Sequence, residues 1–228
     1  HAFFKAPALL HRLSGLGYPC RMRHPAALSL WLVLLAASAW ALADPVKIED
    51  LAGETLSFRV YWLGIPAAEA QLSVERPAPD RLRFVSRAQG LPAVRFFYPL
   101  DSRLDSEVLL PGPRPLSYRK SGREGWGKEQ EREARFDSAA GESRYYKNGA
   151  LSRTLKVPGD VQDPLSCFFF YRTRPVEDNE SVTLRVCDGK RLVEGTVAVL
   201  RRETVTVPAG TFATVVVQPR MEGIGGVF

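Results

Sequence analysis

The sequence predicts a mostly β fold, an antiparallel meander that forms an open or partly closed barrel with one short aromatic helix. Three observations predict this fold class. Apolar and polar residues alternate along several short segments, short turn sequences separate those segments, and the long crossovers that parallel strands need do not occur between them. With 45% apolar and 25% charged residues, the composition is typical of a globular protein.

The first predicted strand covers residues 56–62, where Leu56, Phe58 and Val60 alternate with polar side chains. A turn at residues 64–66 follows, and a second alternating strand through residues 70–74 is expected to run back along the first. A further turn at residues 77–80 leads into a third strand that begins at Leu82.

Later in the chain, three pairs of strands are predicted around short turns. Residues 142–147 and 150–157 flank Asn148-Gly149, which favours a type I′ turn, and residues 181–187 and 190–200 flank the similar pair Asp188-Gly189. The third pair consists of residues 204–207 and 211–217, on either side of a turn at residues 208–210.

One segment has helical rather than strand spacing. Asp163 is a good N-cap, and Pro164 suits the first helical position. Leu165 and the pair Phe168-Phe169 follow at helical spacing, and Arg172 suits the C-terminal end of a helix dipole. The pattern predicts a helix over residues 164–172.

Residues 22–43 have the organisation of an export signal. A basic start at Met22-Arg23-His24 precedes an apolar core at residues 28–35, and Ala41-Leu42-Ala43 is a cleavage triplet. Cleavage after Ala43 would release a periplasmic protein; the alternative is an uncleaved membrane anchor, since residues 26–43 are uncharged.

Three regions are expected on this basis. Residues 1–21 are an unstructured upstream extension, residues 22–43 are the signal peptide, and residues 44–228 form a single β-rich domain. The domain is expected to be incomplete at its C-terminal end, because the chain stops directly after a strand-like run.

The positive charge does not indicate a nucleic-acid partner. The net charge is +6 overall, but four of the 31 Lys and Arg residues and none of the 25 acids precede Asp44, which leaves 27 − 25 = +2 for the β-rich domain. So balanced a surface has no strong field for polyanions.

Histidine and cysteine usage limits the chemistry of the domain. His1, His11 and His24 all precede the cleavage triplet, so histidine-based catalysis and histidine metal sites are not expected, nor is any cofactor. Cys167 and Cys187 either form a disulfide or remain two separate small residues; the sequence leaves both possibilities open.

Acidic groups give no convincing catalytic or metal site. Glu129, Glu131 and Glu133 share one strand face, which is more typical of a solvated hairpin than of an acid–base pair. Asp101, Asp105 and Glu107 lack the loop spacing of a calcium site, and the glycine-rich residues 122–127 lack the lysine of a phosphate loop. No catalytic residue is therefore assigned.

The aromatic residues are the candidates for ligand binding. If they line an open barrel they form an apolar cavity for a lipid; if the barrel is filled they are ordinary core. The candidate ligand-binding residues are Trp62, Phe96, Phe97, Tyr98, Phe168, Phe169, Tyr171 and Arg172.

Several motifs occur in an order that resembles a known family. They are residues 58–65 (FRVYWLGI), 135–137 (RFD), 163–172 (DPLSCFFFYR), 187–190 (CDGK) and 207–212 (VPAGTF). Together, over roughly residues 53–228, they resemble the family called domain of unknown function 3108. Residues 67–70 (AAEA) stand where that family usually has a glycine.

The resemblance implies an exported bacterial envelope protein that is mostly β, has no established activity and continues with further strands after residue 228. A distant likeness to the open-barrel lipoprotein carriers of the periplasm rests on fold analogy alone.

Taken together, the sequence favours a non-enzymatic periplasmic protein that binds an apolar ligand such as a lipid, or an envelope protein partner. Contact with the membrane is expected only through the signal peptide before cleavage. The alternatives are a scaffolding protein of envelope assembly with a filled core and, less favoured, a hydrolase that uses carboxylates alone.

Overall fold

The computed structural model describes residues 4–7 and 46–221, which form two antiparallel sheets with a helix between them. The larger sheet consists of β2 Thr55–Trp62, β3 Ile65–Ala78, β4 Arg81–Gly90, β5 Leu100–Leu109, β6 Arg114–Glu124, β7 Gln130–Asp137, β8 Glu142–Lys147 and β9 Ala150–Lys156. The smaller sheet consists of β1 Phe4–Pro7, β10 Ser181–Cys187, β11 Leu192–Val207 and β12 Gly210–Arg220. The helices are a 3-10 turn at Ile48–Leu51, α1 at Pro92–Arg95 and α2 at Pro164–Arg172.

The eight strands of the larger sheet follow one another in chain order, each antiparallel to the next. Strands β2 and β9 are its edges, and within the described residues no pairing joins them. The predicted antiparallel meander is thus confirmed, and the sheet is open rather than closed into a barrel.

Two predicted element boundaries differ in the structure. The first hairpin turns at Leu63 and Gly64, with φ of 50° and 80°, so Ile65 and Pro66 already belong to β3. The segments predicted at residues 190–200 and 204–207 belong to one strand, β11, because a bulge between Val199 and Arg201 lets pairing with β12 continue.

The hairpin at Asn148-Gly149 is confirmed, with φ of 49° and 80° at its two turn residues. The turn at Asp188 is longer than predicted, because Cys187 pairs with Leu192 and leaves four residues between the strands. The Asp188 carboxylate accepts hydrogen bonds from the backbone N–H groups of residues 190 and 191, at 2.8 and 2.7 Å, and so satisfies two of the backbone donors in this turn.

Gly189 in that turn is where the smaller sheet touches the larger one. Its φ is +86°, and a Cβ at this position would lie 2.6 Å from the Cβ of Ala134 and 2.9 Å from Cδ2 of Tyr145. Only glycine satisfies both the left-handed backbone and this close approach. The glycine of the CDGK motif therefore joins the two sheets.

The helix α2 is confirmed with the predicted bounds. One side of it packs on the larger sheet through Leu165 and Phe169, and the other side packs on the smaller sheet through Cys167 and Phe170. A helix that is apolar on all sides is buried on all sides, which is why α2 lies between two sheets.

The larger of the two cores lies between α2 and the face of the eight-stranded sheet that we call the inner face. Phe84 of β4 stacks on Phe169 of α2, with ring centroids 4.3 Å apart and planes 10° apart. The other buried residues of this core are Ile48, Leu51, Leu56, Leu72, Val74, Leu82, Leu104, Val108, Tyr118, Ala134 and Leu165.

Strand β1 lies within residues 1–21, the segment predicted as an upstream extension. Its four residues pair antiparallel with residues 214–217 of β12. An edge strand offers unpaired backbone N–H and C=O groups, and a short extended segment satisfies them.

The predicted signal peptide at residues 22–43 lies outside the described residues, as does the end of the chain after residue 221. No helix among the residues that the structure describes is long and apolar enough to cross a membrane.

Candidate functional site

A group of large apolar side chains is exposed at one end of the eight-stranded sheet. We call this group the aromatic rim; its members are Tyr61, Trp62, Leu63, Ile65, Phe96, Phe97, Tyr98 and Trp126. Their exposed fractions run from 51% at Tyr98 to 85% at Leu63. Scattered single apolar residues are normal on a protein surface, whereas a contiguous group is typical of an interaction site.

The rim comes from three successive connections at the same end of the meander: the β2–β3 turn, the β4–β5 connection that contains α1, and the β6–β7 turn. In an antiparallel meander every second connection lies at the same end of the sheet. The topology thus brings together aromatic residues that are more than sixty positions apart in the sequence.

Hydrogen bonds join these connections to one another. The N–H of Leu91 donates to the carbonyl of Ala67 at 2.9 Å, which ties the start of the second connection to β3 next to the first turn. The N–H of Gly125 donates to the carbonyl of Pro99 at 2.7 Å, and the indole Nε1 of Trp126 donates to the carbonyl of Phe97 at 3.0 Å. The rim is therefore a fixed surface rather than three independent loops.

Close packing also holds the rim in place. A Cβ on Gly125 would lie 3.0 Å from Cε2 of Tyr98, so the tyrosine ring lies directly against the β6–β7 turn. The rings of Phe96 and Phe97 meet edge to face, with centroids 5.2 Å apart. The aromatic residues are exposed although several of them contact one another.

The inner face of the sheet remains partly open between α2 and the rim. On β2, Phe58 and Val60 occupy inner positions opposite Ala70 and Ala68 and are 38% and 43% exposed. These residues form an apolar path on the sheet that leads to Trp62 at the rim.

On β5–β7 the same face is polar. A small groove of about 120 Å³ is lined in part by Ser102, Lys120, Glu124 and Arg132. Lys120 Nζ lies 2.8 Å from Glu124 Oε1, and the Ser102 hydroxyl donates to the same oxygen at 3.2 Å. Burial alone would raise the pKa of Glu124, but the hydrogen bonds from Lys120 and Ser102 outweigh it and hold that pKa below its ordinary value.

The two aromatic clusters of the sequence lie in different places. Trp62, Phe96, Phe97 and Tyr98 are exposed at the rim. Phe169 is fully buried in the core, and Phe168 packs half-buried against it. The clusters therefore do not line one common cavity. The phenylalanines of α2 pack into the core against the inner face, whereas the other cluster lies at the end of the sheet.

Tyr171 and Arg172 have structural contacts. Tyr171 packs half-buried in the core between α2 and the smaller sheet. Arg172 makes a bidentate pair with Glu54 at 2.7 and 2.8 Å, and their side chains are only 8% and 13% exposed. The guanidinium also lies 5.6 Å from the ring centroids of Phe168 and Phe169. Arg172 thereby fixes the end of α2 to the start of β2.

Asp163 caps α2 as predicted, and its side chain is completely buried. One carboxylate oxygen accepts from the N–H groups of Leu165 and Ser166, both at 2.9 Å, and the other accepts from the hydroxyl of Ser106 on β5 at 2.6 Å. Burial raises the pKa of Asp163 although these hydrogen bonds oppose the increase. The cap thus joins the helix to the middle of the sheet.

Both cysteines are buried free thiols in the structure. Burial raises the pKa of Cys167 to about 12 and also raises the pKa of Cys187. A thiol that ionises so weakly at neutral pH is a poor nucleophile and a poor metal ligand.

The outer face of the large sheet carries a wide cleft of about 800 Å³. Its arginines are paired with its acids: Arg83 with Glu107 at 3.5 Å, Arg103 with Asp105, and Arg119 with Glu131 at 3.4 Å. These pairs neutralise one another, and Glu129 adds one negative charge to the lining of the cleft.

The carboxylates considered for chemistry lie on this outer face. A hydrogen bond from Arg135 lowers the pKa of Glu133, and Glu131 pairs with Arg119. The described residues contain no group of three or more potential ligands that could hold a metal ion. Charged rows of this kind are solvated ion-pair ladders, each pair contributing little to stability.

Sequence reasoning missed Tyr61, Leu63, Ile65 and Trp126 as rim residues, and it missed Lys120 as a groove residue. The sequence contained the information needed to place one of these residues, Trp126. Once the meander is accepted, Trp126 in the β6–β7 turn must lie at the same end of the sheet as Trp62. Whether a strand residue such as Lys120 lies on the inner face depends on the register, and bulges between several strand pairs alter the register.

Comparison with known proteins identifies one family. The family model described as "Protein of unknown function (DUF3108)" matches residues 57–228. Neither a curated protein nor a solved structure matches the chain.

Proposed function

The chain belongs to the DUF3108 family, and from the site of this member we propose that it is a non-enzymatic protein of the bacterial periplasm that binds an apolar ligand at the aromatic rim. The rim is the observation that carries the proposal. Its eight members are at least half exposed, and hydrogen bonds between the three connections hold it in place.

Exposure of this much apolar surface is unfavourable for a free protein in water. Each large apolar side chain that becomes covered contributes about 1.5–3 kcal/mol, so two or three of them suffice for a useful affinity. A lipid chain that lies across Trp62 and along Phe58 and Val60 would cover the open apolar path on the inner face.

The same half of the inner face supplies polar groups for the other end of an amphipathic ligand. Lys120 and Arg132 lie next to each other on β6 and β7, and both line the small groove. Binding sites that are mostly apolar with a few polar groups are common for small ligands.

Several observations support a role without catalysis. The thiols are buried and hard to ionise, and Glu107, Glu131 and Glu133 are held in ion pairs with arginines. The histidines all lie before residue 44, in or before the predicted signal peptide. A carboxylate hydrolase would need an acid free to exchange a proton beside a cleft.

Export to the periplasm is proposed from the predicted signal peptide at residues 22–43, which precedes the matched family region. An envelope protein as the partner of the rim is the nearest alternative, because apolar and aromatic surfaces also mark protein interfaces.

A scaffolding role is the second candidate, and the packed core favours it. Phe84 and Phe169 stack in the space that a hollow barrel would leave for a ligand. If α2 serves only to fill the core, the protein is a rigid support, and the rim contacts another subunit.

Native mass spectrometry of the protein recovered from the periplasm tests the proposal. We expect a fraction of the protein to carry a bound lipid, and we expect cis-parinaric acid to bind in competition with it. The variant Phe97→Ser should weaken that binding. Val207→Ser, at an exposed apolar residue of the smaller sheet, should leave it unchanged. Absence of any bound lipid together with no binding of the probe would contradict ligand binding and favour the scaffold.

A further inference from the structure

The end of the sheet that carries the aromatic rim also carries cationic side chains. The four connections at this end, taken with the strand ends beside them, are residues 61–67, 91–99, 123–129 and 147–150. They contain four cations, Arg95, Arg123, Lys128 and Lys147, and two acids, Glu124 and Glu129. Lys120 already compensates Glu124 across 2.8 Å. The end of the sheet that carries the apolar rim is therefore net positive.

These four cations are not used inside the protein. None of them makes an ion pair with another residue of the part of the chain that the structure describes, whereas Arg81, Arg83, Arg119 and Arg135 of the outer face are paired. An unpaired cation beside an exposed aromatic ring is available to a negatively charged partner.

The aromatic residues are of the kinds that prefer the boundary between water and lipid. Two tryptophans and two tyrosines, Trp62, Trp126, Tyr61 and Tyr98, combine an apolar ring with a polar atom. Leu63, the most exposed of the large apolar side chains at 85%, lies at the tip of the first hairpin with Trp62 and Ile65 beside it. Such a tip can insert into a bilayer surface without any change in the backbone.

We propose that the aromatic rim docks the protein onto the surface of an anionic phospholipid bilayer, with Trp62, Leu63 and Phe96 entering the interface and Arg95 and Lys128 contacting lipid phosphates. The proposal deepens the proposed function, since the bilayer would be the source of the apolar ligand. It adds a membrane contact that does not depend on the signal peptide.

Two properties of the surface favour a bilayer over a protein partner. The rim is a set of projecting turns rather than a groove, and it is made of side chains with 51–85% exposure. A bilayer has no fixed shape to match, so it accepts projecting side chains, and its anionic headgroups complement the unpaired cations.

Sedimentation with extruded vesicles tests the proposal. The protein should be used as it is recovered after export, with its N-terminus verified by mass spectrometry, because an uncleaved apolar segment would itself bind lipid. We expect binding to vesicles that contain phosphatidylglycerol and much weaker binding to pure phosphatidylcholine. Added salt should reduce the difference.

The variants assign the contact to the rim. Trp62→Ser should weaken partitioning about tenfold, which corresponds to the loss of one buried large side chain. The double variant Arg95→Gln, Lys128→Gln should lose the preference for anionic vesicles and keep the weaker neutral binding. Val207→Ser is the matched control and should bind like the wild type.

Three outcomes would overturn membrane docking: no binding to either kind of vesicle, equal binding to both, or full binding by Trp62→Ser in protein of unchanged melting temperature. If vesicle binding fails while cis-parinaric acid still binds, the proposed function survives without docking. If both fail and the rim instead captures an envelope protein, the surface is a protein interface.

Discussion

Asp163 shows how one residue can combine a local and a long-range contact. Its position before proline is enough to predict a helix cap from sequence. The structure adds Ser106, 57 residues earlier in the chain, whose hydroxyl donates to the second carboxylate oxygen. That partner could not be predicted, because no local pattern connects the middle of β5 with the start of α2.

The buried cap makes stability depend on pH in a definite direction. Burial raises the pKa of Asp163 above its ordinary value of 3.8, so the folded state holds this proton more tightly than the unfolded state. The resulting stability is fully present below pH 3.8 and decreases as the pH rises through the raised folded-state pKa. Hydrogen bonds from Leu165, Ser166 and Ser106 oppose this loss without reversing it.

Asp163→Asn tests this sign. Asparagine can still accept from the helix N–H groups and can donate to Ser106, so it resembles the protonated carboxyl. We expect the variant and the wild type to be similarly stable in acid, and the variant to become relatively more stable as pH rises. Urea unfolding across a pH series measures the difference, and Asp101→Asn at an exposed carboxyl is the control. A constant difference, or one of opposite sign, would mean that the three hydrogen bonds outweigh burial.

Cys167 and Cys187 show that the presence of two cysteines does not by itself predict a disulfide. The sequence left a disulfide and two free thiols open, and the structure has two free thiols that belong to different environments. Cys167 packs in the core between α2 and the smaller sheet, and Cys187 Sγ accepts a hydrogen bond from the N–H of Gly189 at 3.4 Å. Pairing depends on distances that spacing along the chain does not determine.

Among the elements, α2 was predicted best, since each of its signals is local. The cap, the proline, the apolar spacing and the terminal arginine all lie within ten residues. Its place between two sheets follows from its composition only when both sheets are known. The ends of the strands, and the face on which each strand residue lies, were predicted less well. Bulges at Val60, Val108 and Val199 change which residues share a face.

The two neighbouring phenylalanines of α2 should differ in their effect on stability. Phe169 is fully buried against Phe84, so Phe169→Ala should cost about 3–5 kcal/mol through the cavity that it leaves. Phe168 is only half-buried, so Phe168→Ala should cost about 1–2 kcal/mol. Chemical denaturation of both variants measures the difference in the free energy of unfolding.

The same variants separate the core from the rim in ligand binding. We expect neither substitution to change binding of cis-parinaric acid at temperatures where the variant remains folded. If Phe169→Ala costs no more than Phe168→Ala, the ring is not packed as the structure has it. If Phe168→Ala abolishes binding without destabilising the protein, the ligand lies against α2 rather than at the rim.

At the scale of the whole molecule, the open sheet explains why the rim exists. A closed barrel would direct its inner residues into one enclosed volume, whereas the sequence left the aromatic clusters either lining an open barrel or packed in a filled core. In the structure α2 fills the core, and the connections at one end of the open sheet carry the remaining aromatic residues outward. The meander was predictable, but the destination of each aromatic residue depended on the tertiary position of α2.

Export is the prediction on which the biological setting of the molecule depends. The apolar stretch from residue 26 to residue 43 would span about 27 Å as a helix, at the lower limit for crossing a bilayer. A short apolar core followed by Ala41-Leu42-Ala43 is instead typical of a cleaved signal peptide.

Expressed from Met22 in a Gram-negative host, the protein should therefore be recovered from the periplasm with Asp44 as its first residue. N-terminal mass spectrometry of the periplasmic fraction measures this, and Ala43→Arg should block cleavage and keep the chain in the membrane. Recovery of the unaltered chain in the membrane with Met22 intact would show that the segment is an anchor, and the rim would then face a bilayer to which the protein is permanently attached.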